Sequence, residues 1–330
     1  MGKFIIRAEN LTKNYLVSKR EKGLKGSFKG IFQREKTVIP ALKAVNFTIE
    51  QGDCVGFIGP NGAGKSTTLK ILSGILMPTE GSCTVLGRVP WKQRIEHVKH
   101  IGVVFGQRTQ LWWDLPLQES FYLLKSVYSI PEADFQKRFQ SLVGILRMED
   151  WLGVPVRQLS LGLRMRADII ASLLHDPEIL FLDEPTIGLD IETKFDLRSF
   201  LSYLSRKEGK TILLASHDLW DVEALCTRLL FINHGRILRD TSLDTFLSED
   251  VHERSIKLKG VSKTEIVRHF EHIPVEEQGD HLRMSIDTQK LSLKNILQQL
   301  TAIEGLEELT VEQPSIEEIV LKLYQQMPNP

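Results

Sequence analysis

The chain has 330 residues, enough for about two domains, and its 42% hydrophobic and 25% charged residues are typical of a soluble globular protein. Its 42 basic and 42 acidic residues balance, which argues against bulk nucleic-acid binding as the main activity. No apolar run approaches the roughly 18 residues of a membrane span, and the first apolar stretch is too short for a signal peptide. Three widely spaced cysteines form no metal-binding cluster and indicate a reducing cytosol: Cys54, Cys83 and Cys226.

Strands and helices alternate along most of the chain. The predicted elements are, in order, strands 4–9, 45–49, 55–58 and 103–105, a helical stretch from 117 to 174, strand 179–182, helix 192–206, strand 211–215, helix 219–226 and strand 229–232. This alternation predicts an α/β fold with a mostly parallel sheet covered on both faces. The helical subdomain, about 113–174, is expected to be an insertion between strands of that sheet.

The pattern changes after about residue 247, so we expect two domains, 1–247 and 248–330. The second is predicted to contain strand 254–259, helix 264–270, two short strands across the Gly279-Asp280 turn (the second at 281–286), helix 291–300, strand 306–311 and helix 315–324. The order βαββαβ with an added helix predicts a small α+β domain of the ferredoxin-like type.

A phosphate-binding loop follows the predicted strand 55–58 and opens a helix. It fits the pattern GxxxxGK[ST], and its nine residues are Gly59, Pro60, Asn61, Gly62, Ala63, Gly64, Lys65, Ser66 and Thr67. Glycines let backbone N–H groups point at phosphate oxygens, and the N-terminus of a helix favours negative charge. Lys65 can reach the β- and γ-phosphates, and Ser66 can place its hydroxyl on Mg²⁺. The loop therefore predicts binding of ATP with Mg²⁺.

Two acids, Asp183 and Glu184, end the apolar strand 179–182. A buried strand of a parallel sheet delivers such residues to the edge where ligands bind. We expect Asp183 to hold Mg²⁺ through water, and Glu184 to orient or deprotonate the attacking water. The loop and the acids together predict ATP hydrolysis.

Further motifs define the kind of nucleotidase. They are Leu159–Arg164, Pro185–Asp190, Ser216–Asp218 and Gln107, which follows the strand 103–105. In this order the set closely resembles the ATP-binding cassette (ABC) family over about residues 4–240. The resemblance implies the P-loop nucleotide-binding domain of that family, with a mixed sheet core and an inserted helical subdomain.

The resemblance also implies roles for individual residues. Tyr15 would stack on adenine, and an alternative is that this aromatic ring belongs to the core. Gln107 would sense Mg²⁺ and the attacking water, and would link the site to a partner. His217 would hydrogen-bond the γ-phosphate. Together with Lys65 and Glu184, Gln107 and His217 form the expected catalytic set.

Other residues are implied to act on a second copy of the subunit. Ser160 and Gly162 would contact the γ-phosphate bound by that copy, and Asp190 would lie in the dimer interface. The usual LSGGQ sequence of this loop is altered here, because Leu161 and Leu163 replace glycine and glutamine. A side chain in place of glycine restricts φ, so slower hydrolysis or weaker dimerisation is a possible consequence.

Two classes of cassette protein compete: the ATPase subunit of a membrane transporter, and a soluble ATPase acting on the ribosome or nucleic acid. The chain has one phosphate loop and neither a heptad run nor a cysteine pair, which favours the transporter. Trp112 and Trp113 lie just after Gln107, where transporter cassettes contact the permease, although both could instead fill the local core. The chain resembles subunits of ABC-2 type exporters for viologens and antibiotics, including the helix at Ser315–Val320. The resemblance implies a homodimer through an ATP sandwich, a permease partner and a peripheral position on the cytoplasmic face of the cell membrane.

The segment 19–36 carries seven basic and two acidic residues. Its apolar residues are spaced as one stripe of a short helix, and they are Leu24, Phe28, Ile31 and Phe32. A basic amphipathic helix here would bind an anionic membrane surface or the permease, whereas three glycines in the segment favour a solvated loop.

Overall fold

The computed structural model describes residues 3–18, 36–106, 108–249, 253–288, 290–312 and 318–320. Gln107 lies outside these stretches, and so does the basic segment 19–36 apart from Lys36. Between Thr241 and Ser242 the chain divides into two units.

The first unit contains strands and helices in the alternation that the sequence predicts. In chain order they are β1 (Phe4–Ser18), β2 (Lys36–Glu50), β3 (Cys54–Ile58), α1 (Lys65–Leu72), β4 (Glu80–Val85), α2 (Arg94–Val98), β5 (Ile101–Phe105), α3 (Leu117–Val127), α4 (Glu132–Ile145), α5 (Leu161–Leu173), β6 (Ile179–Asp183), α6 (Ile191–Arg206), β7 (Thr211–Ala215), α7 (Leu219–Leu225), β8 (Arg228–Asn233) and β9 (Arg236–Ser242). Short 3-10 turns at Glu149–Trp151 and Val156–Gln158 lie between α4 and α5.

A six-stranded sheet forms the centre of this unit, in the order β5-β6-β7-β3-β8-β9. Neighbouring strands from β5 to β8 run parallel, and β3, β6 and β7 are buried along their whole length. Parallel strands buried on both faces are continuous apolar runs in the sequence, which is why the predicted bounds lie within two residues of the observed ones. The carboxyl ends of β3, β5, β6 and β7 lie at one edge of the sheet.

A second, antiparallel sheet has the order β2-β1-β4. Its apolar side chains join those of the central sheet and of α1 in one core, where Phe47 and Phe57 meet edge to face with ring centroids 5.4 Å apart. The long pairing of β1 with β2 extends to Ser18 and Lys36, far beyond the predicted strand 4–9. Both sheets with their helices confirm the predicted α/β fold with a mixed sheet core.

Helices α3, α4 and α5 form the predicted helical insertion between β5 and β6. On α4 the side chains of Phe135, Phe139 and Leu142 are buried at three-to-four spacing, as the periodicity predicts. Helix α5 begins after Ser160, whose side chain caps it by accepting a hydrogen bond from the backbone N–H of Leu163. Most of α5 from Met165 onward is buried, so this helix is the centre of the insertion.

The second unit contains α8 (Leu243–Glu249), β10 (Glu253–Lys259), α9 (Lys263–His269), β11 (Val275–Gln278), β12 (His281–Asp287), α10 (Leu293–Leu300) and β13 (Glu308–Glu312). Its four strands form an antiparallel sheet in the order β11-β12-β10-β13, over a core of its own. The predicted βαββαβ order is therefore present, and the ferredoxin-like assignment stays a proposal. Of the predicted last helix only residues 318–320 are described, and they are helical.

Among the described residues, no helix is long and apolar enough to cross a membrane.

Candidate active site

The loop between β3 and α1 has the backbone that its glycines predict. At Gly59 a Cβ would lie 2.2 Å from the carbonyl oxygen of Ile232, so only glycine allows this strand end to approach β8. Gly64 has φ +116°, a conformation that side chains rarely adopt, and it forms the N-cap of α1. The sequence Gly59–Thr67 therefore folds into a tight loop that ends at a helix N-terminus.

This loop lines a cavity of about 400 Å³ at the carboxyl edge of the central sheet. The lining residues are Asn61, Gly62, Ala63, Gly64, Lys65, Ser66, Thr67, Glu184, Ile187 and His217. Lys65, Ser66 and Thr67 form the first turn of α1, where backbone N–H groups lack partners within the helix. A helix N-terminus of this kind binds phosphate.

The Lys65 side chain is buried, and its ammonium group donates to the carbonyl oxygens of Gly59, at 2.6 Å, and Pro60, at 3.3 Å. Burial lowers the pKa of Lys65, while the nearby carboxylates of Glu184 and Asp183 act in the opposite direction. A cation held by two loop carbonyl oxygens and facing two acids can bind the phosphates of a nucleotide.

Ser66 and Asp183 meet across the cavity edge, with the Ser66 hydroxyl donating to Asp183 Oδ1 at 2.9 Å. Burial raises the pKa of the Asp183 carboxyl, although Ser66, Lys70 and Lys65 oppose that shift. One hydroxyl and one carboxylate, brought together from α1 and β6, are oxygen donors of the kind that Mg²⁺ prefers. The predicted metal residues Ser66 and Asp183 thus fit the ion.

Glu184 has φ +54°, and its backbone N–H donates to the carbonyl oxygen of Ala215. The neighbouring strand supplies His217, whose Nδ1 lies 2.6 Å from Glu184 Oε2, while the His217 backbone N–H donates to the same oxygen at 3.3 Å. Because an ionised carboxylate only accepts, Nδ1 carries a proton in this contact. Glu184 and His217 therefore form a pair beside the phosphate loop.

A buried ionic network behind His217 could not be predicted from the sequence. The fully buried Asp221 accepts hydrogen bonds from Thr186 and, at 2.6 Å, from Arg198 Nε. Lys194 pairs with Asp218 at 2.6 Å beside it. These contacts join α6 to the loops that follow Glu184 and precede α7. The sequence signal for this network was limited to acidic residues that follow the Ser216–Asp218 motif in the chain.

Three other predicted site residues, Tyr15, Ser160 and Gly162, do not line the cavity. Tyr15 is half-buried on β1, with the Lys13 ammonium group 5.6 Å from its ring centroid. Ser160 caps α5, and a Cβ at Gly162 would lie 3.3 Å from Thr193 on α6. None of these residues lines the cavity in a single copy of the chain.

Leu161, one of the two departures from the usual family sequence, contacts its own chain. Its side chain is 40% exposed, and its Cδ2 lies 2.8 Å from where a Cβ on Gly188 would be. Gly188 has φ +71° and lies in the loop between Glu184 and Asp190. The leucine thus packs over that loop, using space that a glycine keeps open.

A second buried carboxylate that the sequence did not indicate is Asp168 on α5. Its Oδ1 accepts hydrogen bonds from Thr109 Oγ1 at 2.9 Å and from the backbone N–H of Gln110 at 3.0 Å. Burial raises the pKa of Asp168 to about 6, although these hydrogen bonds and the charge of Arg164 oppose the shift. An acid on the buried face of a helix was the signal in the sequence that could have identified it.

The raised pKa of Asp168 predicts a pH-dependent effect on stability. A raised folded-state pKa means a stabilising contribution that is full below the unfolded value, near 3.8, and is lost as pH rises through about 6. The neutral Asp168→Asn variant should therefore gain stability over wild type, and the gain should be larger at pH 8 than at pH 5 by on the order of 1 kcal/mol. Urea unfolding at both pH values measures it, with Asp150→Asn at an exposed acid as control. A gain that is equal at both pH values would contradict the prediction.

The loop at a strand–helix junction, its buried lysine and the acid at the end of β6, a parallel strand of the same sheet, define a P-loop nucleotidase. Similarity to known proteins shows to which family of P-loop nucleotidases the chain belongs. The family model for ABC transporters matches residues 42–187. The ABC transporter ATP-binding protein NatA of Bacillus subtilis (strain 168) is 35% identical over 237 residues, covering 72% of this chain and 95% of NatA.

Nod factor export ATP-binding protein I of Rhizobium sp. (strain N33) is 31% identical, with 91% of this chain and 95% of that protein covered. A dimeric ATP-binding cassette, solved in a post-hydrolysis state bound to ADP and Pi, is 27% identical with a TM-score of 0.60, covering 72% of this chain and 98% of that one. The chain belongs to the ABC transporter family. It is an ATPase of that family, and the alternative of a soluble ATPase acting on ribosomes or nucleic acid is not supported.

Proposed function

We propose that this chain is the ATP-hydrolysing subunit of an ABC-2 type exporter, located at the cytoplasmic face of the cell membrane through a permease. The observation that carries the proposal is the pairing of a complete phosphate site with the relatives above, one of which is named for export. ATP and Mg²⁺ are the cofactors that the site fits. The proposed partners are a permease and a second copy of the chain, with no specific nucleic acid.

In this proposal each residue acts where the geometry allows. Lys65 would exchange its loop carbonyls for phosphate oxygens. Ser66 and Asp183 would hold Mg²⁺, which would supply positive charge against the phosphates. Glu184 orients the attacking water. His217 holds Glu184 through Nδ1–H, so a further hydrogen bond from Nε2 to the γ-phosphate requires the protonated imidazole. Gln107, which lies outside the described residues, is proposed to sense Mg²⁺ and the attacking water. The preceding residue, Gly106, donates its N–H to Asp183 O at 2.7 Å.

The residues that are expected to act on a second copy of the chain support a dimer. Ser160 and Gly162 lie at the N-terminus of α5 and outside the chain's own cavity, which suits contact with ATP held by a second copy. Asp190 caps α6 by accepting from the backbone N–H of Thr193 at 2.8 Å, so its loop is fixed beside Gly162. Two copies facing each other would enclose two ATP molecules. Closure would then depend on contacts that exist only with γ-phosphate present.

Trp112 and Trp113 are the proposed permease contact. They are 39% and 47% exposed, an unusual position for two adjacent tryptophans, and this exposure favours binding over core packing. Trp113 also stacks on Arg164, with the guanidinium carbon 4.6 Å from the ring centroid.

Changing both tryptophans to alanine should weaken co-purification with the permease at least about tenfold, because aromatic anchors dominate interface energies. ATPase activity of the isolated subunit should stay within about twofold of wild type, since neither ring lines the phosphate cavity. Trp220→Ala, at a tryptophan that is 64% exposed elsewhere on the unit, is the matched control. Undiminished co-purification of the double variant would place the permease contact elsewhere.

The export function is tested by reconstituting the chain in sealed vesicles with the permease that co-purifies with it. Mg-ATP added on the side of the ATPase subunit should drive substrate away from that side, whereas an importer would move it toward that side. Hydrolysis without any permease dependence, together with ribosome binding, would overturn the proposal.

A further inference from the structure

The segment that follows Gln107 is attached to α5 by several hydrogen bonds. Asp168 accepts from Thr109 and from the backbone of Gln110, and Gln110 Nε2 donates back to the Asp168 carbonyl oxygen at 3.1 Å. The Thr109 hydroxyl also accepts from the backbone N–H of Leu111 at 3.1 Å. One buried carboxylate thus holds two successive residues of the segment.

The same segment is attached on the other side of Ser160. The backbone N–H of Arg157 donates to Trp113 O at 2.9 Å, and that of Val156 donates to Leu115 O at 3.1 Å. Both residues belong to the 3-10 turn just before Ser160. The segment 109–115 is therefore fixed to the chain before the Ser160 loop and to the helix after it.

We infer that Asp168 is a positioning residue that makes the segment 109–115 and the Ser160 loop move as one piece. This inference rests on the proposed function for its meaning, because it connects the permease contact at Trp112 and Trp113 with the residues that contact the γ-phosphate in trans. Asp168 is buried on α5 and does not line the phosphate cavity. It acts through Thr109 and Gln110 alone.

The carboxylate is suited to this role by its burial. Asp168 is 5% exposed, so hydrogen bonds lost from it are not replaced by water without opening the core. Arg164, one turn earlier on α5, supplies charge toward Asp168 and stacks on Trp113. Two neighbouring turns of α5 therefore contact the segment 109–115, which makes its connection to the helix rigid.

Amide hydrogen exchange of the full chain without nucleotide tests the attachment. Asp168→Ala should raise exchange in peptides covering 108–115 by about tenfold or more, because it leaves the Thr109 hydroxyl and the Gln110 N–H without their buried acceptor. Peptides covering 161–173 should change by less than about twofold. Asp168→Asn should restore protection, since its amide oxygen accepts from the same two donors. Ser172→Ala, one turn later on the buried face of α5, is the matched control.

Three results without nucleotide would overturn the inference. They are unchanged exchange in 108–115, an equal rise along all of α5, and equal losses in the Asn and Ala variants. The first would mean that Asp168 does not hold the segment. The other two would show that Asp168 only supports the packing of the helix.

The second arm adds Mg-ATP in a Glu184→Gln background. ATP should protect both 160–164 and 108–115, and after Asp168→Ala it should protect 160–164 alone. Equal protection of 108–115 with and without Asp168 would overturn the coupling. If ATP protects neither segment in the Glu184→Gln chain itself, the proposed ATP-sandwich dimer is contradicted. The measurement without nucleotide still tests whether Asp168 holds the segment 109–115.

Discussion

Glu184→Gln should abolish ATP turnover while leaving ATP affinity nearly unchanged. Glu184 lies at the end of β6 with its carboxylate held by His217, and it does not touch the bonds that fix Lys65 to the loop. The amide cannot accept a proton from the attacking water, so kcat should fall by about 10²-fold or more. Phosphate release measures turnover, and equilibrium binding of labelled ATP measures affinity.

The same variant should form an ATP-dependent dimer that is visible by size-exclusion chromatography, because the bound γ-phosphate persists. Glu178→Gln is the matched control, since Glu178 directly precedes β6 as Glu184 directly follows it, and its carboxylate pairs with His100 at the surface. We expect this control to keep wild-type turnover and to show no stable dimer. Turnover of Glu184→Gln within about tenfold of wild type would mean that another group activates the water.

Much of this site was predictable because it depends on local sequence and on the rules of parallel sheets. The phosphate loop needs glycines at fixed spacing between a strand and a helix, and each requirement is visible in one stretch of chain. Asp183 could be placed beside Ser66 because β3 and β6 are both buried parallel strands whose carboxyl ends lie at one edge. Strand direction, combined with the phosphate-loop pattern, was enough to place residues more than a hundred positions apart at one site.

The long ribbon of β1 and β2 was not predictable in its full length. Register shifts between Ala8 and Leu11, and again between Leu11 and Asn14, interrupt the alternation of buried and exposed side chains. A bulge adds a residue to one strand and so breaks the period-two pattern on which the prediction depends. The prediction therefore stopped at residue 9. Strand β4 was missed for a related reason, since its Gly81-Ser82 start is typical of a turn.

The buried acids were missed because their partners are distant in sequence. In a helical stretch Asp168 appears as one more polar residue, and its role exists only because Thr109 and Gln110 pack against α5. Asp221 likewise depends on Arg198 from another helix. Local periodicity indicates which face of a helix is buried, and tertiary contacts decide which polar groups that face can hold.

Lys65→Ala should weaken ATP binding and hydrolysis together, in contrast to Glu184→Gln. The buried ammonium is held at 2.6 Å from Gly59 O and faces the cavity, so its loss removes a charge-assisted contact to phosphate in both the ground state and the transition state. We expect the Kd for ATP to rise about 100-fold, on the order of 3 kcal/mol. Equilibrium binding and phosphate release measure both quantities on the same preparation.

The control for Lys65→Ala is Lys70→Ala. Lys70 is on the same helix, but it lies outside the cavity lining and near the ring of Phe105. The Kd of this variant for ATP should stay within about threefold of wild type, because the Lys70 charge reaches the site only at a distance.

Lys65→Arg separates charge from shape. The planar guanidinium keeps the charge but does not fit a pocket built around two carbonyl oxygens, so ATP binding should stay impaired. Wild-type affinity in Lys65→Ala would show that the backbone of Gly59–Thr67 holds the phosphates without the lysine. The assignment of Lys65 to the phosphates would then be wrong, even though the loop itself is correctly placed.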